Sequence, residues 1–122
     1  MKHPIVHIEI SSKNHKESAQ WYSDIFGWET QEFPDMDYST WAGPDESVGG
    51  GFNTISDENP AGTIVFYIHT DDLAATVKKV KDKGGEVLVE SFDIPTVGTM
   101  ATFKDPSGNV ISLLEPAPES EG

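Results

Sequence analysis

The segment from Ile5 to Ser11 reads IVHIEIS and carries an imidazole and a carboxylate two residues apart, at His7 and Glu9. On a strand, both side chains leave the same face, about 7 Å apart along it. A histidine, which titrates near neutrality, beside a carboxylate forms an acid/base pair for proton abstraction or isomerisation without a metal. The plain alternative makes His7 a hydrogen-bonded, partly buried residue and Glu9 a solvated one. The sequence gives no partner to His3, close to the N-terminus, or to His15, in the expected exposed first turn of a helix. Gly49-Gly50-Gly51-Phe52 is not followed by the Lys-Ser/Thr pair or helix of a phosphate-binding loop, so it reads as close packing or a bulge in a strand. With no cysteine in the chain, disulfides, thiolate metal sites and cysteine nucleophiles are excluded.

These residues need elements to hold them. In IVHIEIS, Val6, Ile8 and Ile10 alternate with Ile5, His7 and Glu9, the pattern of a half-buried strand. Asn14 with Glu17 three residues on resembles a capping box, Ala19, Tyr22, Ile25 and Phe26 recur at helical spacing, and Gly27 supplies a stop. A helix over about 15–26 is predicted. Extended pieces follow near 29–33, 38–42 and 50–55. The second half repeats the order. TIVFYIHT alternates Ile64, Phe66 and Ile68 with Thr63, Val65, Tyr67 and His69. Asp71 or Asp72 caps a helix bearing Leu73, Val77 and Val80, which Gly84 ends, and EVLVESF, GTMATFKD and NVISLLE supply three strands. Asn14 and Asp71, Gly27 and Gly84, and Glu29 and Glu86 are each 57 residues apart, which suggests a duplicated βαβββ module.

A module of about sixty residues buries little apolar surface alone, so the two are expected to pack as one α+β domain over 1–116, with modules near 5–55 and 63–115 and a frayed acidic tail at 117–122. The rows Val6/Ile8/Ile10 and Ile64/Phe66/Ile68 should face the helices and form the core. The opposite rows, carrying His7, Glu9, Thr63, Val65, Tyr67, Ser112 and Leu114, should line a concavity in a curved mixed sheet, joined by Trp41 as an aromatic wall.

The 122 residues include 21 Asp plus Glu and 8 basic residues, all of them Lys, for a net charge of −13. Without arginine there is no bidentate clamp for phosphate, and the negative field disfavours polyanions. Nucleic acid is therefore excluded as a partner, and a neutral or cationic small organic molecule is favoured. The chain lacks an apolar run near the ~18 residues of a spanning helix and a signal-peptide pattern, so the expected setting is the cytoplasm, away from membranes.

His7, Trp21-Tyr22, Phe26-Gly27-Trp28, Asp71-Asp72-Leu73, Gly84-Gly85 and Asp105-Pro106-Ser107-Gly108-Asn109, in this order over residues 5–115, resemble the vicinal oxygen chelate superfamily of glyoxalases, extradiol dioxygenases and bleomycin-binding proteins. YSDIFGWE, VGGGF and DIPTVGTMATFKDPSGNVISLLEP most resemble its large glyoxalase-related group without assigned reactions. The resemblance implies a cup-shaped sheet, a homodimer, and in the enzymes a divalent metal. Residue by residue, His7 matches the first ligand, while Thr63 and Ser112 stand where enzymes carry His or carboxylate. The matching stretch of the fourth strand, Gly49-Gly50-Gly51, has no side-chain donor. One protein ligand of the usual three remains, so no cofactor and no protein-held metal are predicted. A facial set of His7, Glu9 and His69 is the metal-dependent alternative, giving a lyase, isomerase or dioxygenase. Sequestration of a cationic drug is the other.

Overall fold

The computed structural model describes residues 2–57 and 59–118, so the acidic tail expected at the C-terminus lies, from Glu119 on, outside the described residues. The element order is β1 (Ile5–Ser12), α1 (His15–Phe26), β2 (Glu29–Phe33), β3 (Tyr38–Ala42), β4 (Gly49–Thr54), then β5 (Ile64–His69), α2 (Leu73–Asp82), β6 (Glu86–Ile94), β7 (Gly98–Lys104) and β8 (Val110–Pro116). This is an α+β chain in which βαβββ occurs twice, with a short 3-10 turn at Pro34–Met36 before β3. Two compact units result. One runs over Val6–Phe66, and the other takes in the residues before Val6 and after Phe66.

In the first unit the strand order is β2-β3-β4-β1, with β1 and β4 parallel and the other pairs antiparallel. Asn14 caps α1 as the sequence predicts: its side chain accepts the Lys16 and Glu17 N–H groups, satisfying donors that the first helical turn leaves unpaired. Gly27 ends the helix at φ 72°, a conformation that glycine adopts without a Cβ penalty. Beneath α1, Ala19, Trp41 and Phe52 form the buried centre, with Ile8, Ile10, Tyr22 and Trp28 packed round it. Trp28 stacks on Trp41 at 4.3 Å and on Tyr22 at 5.2 Å.

The second unit has the order β5-β8-β7-β6, again with its parallel pair (β5 and β8) at one side. Asp72 caps α2 through the Ala75 N–H. Leu73, Val77, Ala101 and Leu113 are buried together, flanked by Ile68, Val87 and Phe103.

The expected core rows are only half covered. Ile8, Ile10 and Ile68 pack beneath helices, whereas Val6, Ile64 and Phe66 remain exposed. Within the first unit α1 packs chiefly on β2, β3 and β4, so on β1 it reaches Ile8 and Ile10 and leaves Val6 uncovered. In the first unit this leaves an apolar hollow of about 560 Å³ bordered by Ile8, Ile10, Trp28, Trp41, Ile64 and Phe66, among others. His15 is also corrected. It is buried, not exposed, because its ring joins Ser39 Oγ at 2.6 Å and Asp37 Oδ1 at 3.2 Å, tying the start of α1 to β3.

Candidate functional site

The pairing of β1 with β4 decides which side chains meet. His7 lies beside Gly49, Ile8 beside Gly50 and Glu9 beside Gly51, and β3 sets Trp41 opposite Gly50 and Thr40 opposite Gly51. Alternation then sends Ile8, Ile10, Phe52 and Trp41 to the helix face, and His7, Glu9, Asn53, Thr40 and Tyr38 to the other. On that open face, His7 Nε2 lies 2.9 Å from Glu9 Oε1. The Tyr38 hydroxyl donates to the same oxygen at 2.7 Å and lies 3.4 Å from His7 Nε2. One carboxylate oxygen thus receives two neighbours, while the other, Glu9 Oε2, is buried without a hydrogen-bond partner among the described residues. The Glu9 side chain retains 12% of its exposure and that of His7 29%, so the carboxylate is held largely out of water beside a more open imidazole.

The glycines make this arrangement possible. A Cβ on Gly51 would overlap the Tyr38 phenol, so its absence lets the ring lie across β4 and reach the β1 carboxylate. A Cβ on Gly50 would collide with the Ile8 carbonyl and with the Trp41 indole on the other face. Close packing, one of the two explanations the sequence offers for the glycine run, accounts for both positions, and the register through β4 is unbroken.

Of the residues expected to share a site, His7 and Glu9 come together. Trp41 does not join them: it is 6% exposed and lies on the helix face, with its indole N–H donating to the Gly51 carbonyl at 3.3 Å. Its parity in β3, opposite to that of Tyr38 and Thr40, is the physical reason. Thr63 lies just before β5, its carbonyl accepting the Ser11 N–H, and Val65 is buried between the exposed Ile64 and Phe66. In the second unit, Tyr67 and Ser112 are register partners, as are His69 and Leu114. Ser112 is 2% exposed and its hydroxyl pairs with that of Thr102 at 2.9 Å.

Tyr38 and Asn53 were missed as site residues by sequence reasoning. The available signal was the glycine on the neighbouring strand, which marks a close approach without naming what approaches.

The divalent ion implied by the resemblance does not fit the donors present. His7 Nε2 is engaged by Glu9, the neighbouring β4 positions are Gly49 and Gly51, and the Ser112 hydroxyl is turned to Thr102. His69, the third member of the alternative set, directs Nε2 to Asp71 Oδ1 at 3.0 Å. Among the described residues no three His, Asp or Glu side chains converge as a metal ion needs.

Comparison with known proteins agrees with the architecture. The chain is 33% identical over 113 residues to a glyoxylase-like domain-containing protein of Didymella fabae, covering 87% of this chain and 88% of that one. It is 28% identical over 121 residues to the anthracycline biosynthesis protein DnrV of Streptomyces peucetius, covering 86% of this chain but 44% of the relative. A 53-residue stretch that is 45% identical to two mycobacterial relatives spans only 20% of their length. In fold, the crystal structure of methylmalonyl-CoA epimerase from Mycobacterium tuberculosis superposes with a TM-score of 0.73 at 19% identity, over 93% of this chain and 88% of that one. Residues 4–113 match the Glyoxalase/Bleomycin resistance protein/Dioxygenase superfamily, and the chain belongs to that family.

Proposed function

We propose that this protein binds a neutral or cationic small organic molecule on the open face of β1 and β4, with His7 and Glu9 meeting its polar end and without a metal held by the protein. The observation that carries this reading is the shielded Glu9 carboxylate, fixed by His7 and Tyr38 through one oxygen and left unpaired at the other. An unpaired buried carboxylate oxygen is costly, and a ligand donor removes that cost. The net charge of −13 adds a field that favours cations over anions.

The 2.9 Å contact between His7 and Glu9 supports a second, catalytic reading of the same residues. Glu9 would take a proton from one atom of the bound molecule, His7 would steady the protonated carboxyl, and the same proton would return to a neighbouring atom, so that the molecule leaves isomerised and the pair unchanged. A homodimer is proposed as the assembled state. The exposed apolar row of Val6, Ile64 and Phe66 supports it, and sedimentation of the purified protein tests it.

The deciding experiment for binding is a thermal-shift screen of neutral, cationic and anionic compounds in buffer containing a chelator, repeated on His7→Ala and Glu9→Gln. Compounds that raise Tm with chelator present, and lose the effect in both variants, are expected. Ligands that act only when a divalent ion is added, or that ignore both substitutions, would overturn the reading.

A further inference from the structure

Glu9 Oε2 has a counterpart on the adjacent strand. Asn53 Oδ1 is likewise buried with no hydrogen-bond partner among the described residues. In the β1–β4 register Glu9 lies beside Gly51 and Ser11 beside Asn53, so Glu9 and Asn53 are diagonal neighbours on the same face, about 8 Å apart at Cα from the strand rise and spacing. Phe52, the residue between Gly51 and Asn53, is fully buried on the helix face, which fixes the parity of this stretch.

We propose that these two oxygens recognise a planar cationic nitrogen head with several N–H donors, of the amidinium or guanidinium class. This rests on the reading that the open face of β1 and β4 is the binding site, and it goes further by naming the group recognised and adding Asn53 as a specificity residue. A carboxylate oxygen and an amide carbonyl are both acceptors, so whatever satisfies them must bring protons. The Tyr38 hydroxyl proton is committed to Glu9 Oε1 and is not offered to a ligand. The Gly49 and Gly51 positions beside His7 and Glu9 add no side-chain donor. At these two oxygens a carboxylate or phosphate would bring no proton and would meet a negative field. An amidinium meets two acceptors and a charge of opposite sign, with its donors spread in a plane. An alcohol or a single amine could satisfy one oxygen but would leave the other bare.

The test is a titration of the full chain with three ring-matched probes, benzamidinium, benzamide and benzoate, in metal-free buffer near neutral pH, followed by backbone amide NMR shifts. Benzamidinium is expected to bind at least about tenfold more tightly than benzamide, with benzoate weakest, and to shift residues 7–11 and 49–53. Glu9→Gln should remove about tenfold or more of its affinity, and Asn53→Leu about threefold or more. Asn53→Asp, which keeps the shape and adds acceptor charge, should strengthen benzamidinium binding, and it decides the matter if the leucine variant does not fold. Equal binding of benzoate, or no response to either Asn53 substitution, would overturn the inference; ordered water would then be what satisfies the two oxygens. If benzamide shifts these residues as strongly as benzamidinium, this inference fails while the binding reading stands. If none of the probes, nor any compound from the thermal-shift screen, shifts them, both fail.

Discussion

The two βαβββ units use one frame for two different faces. Each has a capped helix over three strands and a parallel pair at the side, β1 with β4 and β5 with β8. In the first, the parallel pair presents His7 and Glu9 beside Gly49 and Gly51, and the freed space is taken by the Tyr38 ring. In the second, the corresponding pair presents Tyr67 and His69 beside Ser112 and Leu114, and Ser112 closes a hydroxyl pair with Thr102. The frame follows from periodicity and caps. The polar cluster arises where a neighbouring glycine gives a side chain room to cross.

Both units should lose most stability when a buried core side chain is cut back. Phe52→Ala, beneath α1, should cost about 3–5 kcal/mol, and Leu113→Ala, beneath α2, about 2–5 kcal/mol, read from chemical denaturation. If one of them is almost neutral, that unit does not depend on the helix packing described for it.

Next in size is the polar face. Tyr38→Phe removes a hydrogen bond to a shielded carboxylate and should lower stability by about 2 kcal/mol. Thr102→Val breaks only a neutral hydroxyl pair and should cost about 1 kcal/mol. Equal losses in matched melts would erase the distinction between the faces. Gly51→Ala should match or exceed Tyr38→Phe, at about 2–3 kcal/mol, since its methyl must displace the phenol; ligand binding should change with it.

The caps sharpen the likeness. Asn14→Ala and Asp72→Ala should each cost about 1 kcal/mol, and a gap much larger than that between them would show that the helices do not play equivalent parts.

The smallest effect expected concerns the turn joining β7 to β8. Asp105 accepts from the Asn109 side chain and backbone and from the Ser107 N–H. The Asn109 side-chain bond above all holds its carboxyl below the ordinary value of 3.8. A carboxylate whose folded pKa is depressed stabilises fully above its unfolded pKa and loses that contribution as pH falls through the folded value. Asp105→Asn should therefore flatten the acid limb of the stability curve and leave its shape above about pH 5 unchanged. A steeper acid limb in the variant would contradict this assignment.

The frame was legible in the sequence because it rests on local signals. Asn14, Gly27 and Asp72 announce helix ends, and alternation in IVHIEIS places His7 and Glu9 on one face. Burial was less legible. Ile64 and Phe66 follow the pattern of core residues but are exposed, because periodicity assigns a side and does not say what covers it. The burial of His15 is illegible for a related reason: its partners Ser39 and Asp37 come from more than twenty positions away, and no spacing rule links them. Composition alone does not separate Tyr38 from Trp41; their opposite parity in β3, which puts the phenol beside the carboxylate and the indole under the helix, shows only once the register is known.

The interlock of Gly51 with Tyr38 makes bulk at one position and emptiness at the other a single adjustable quantity. A smaller residue at 38 would leave a vacancy over β4 next to the Glu9 carboxylate, and a ligand carrying an extra ring could fill it without any change to β1. For the ligand proposed above, selectivity would then be open to bump-and-hole engineering, with the glycine supplying the floor and the residue at 38 setting how large a guest the floor admits.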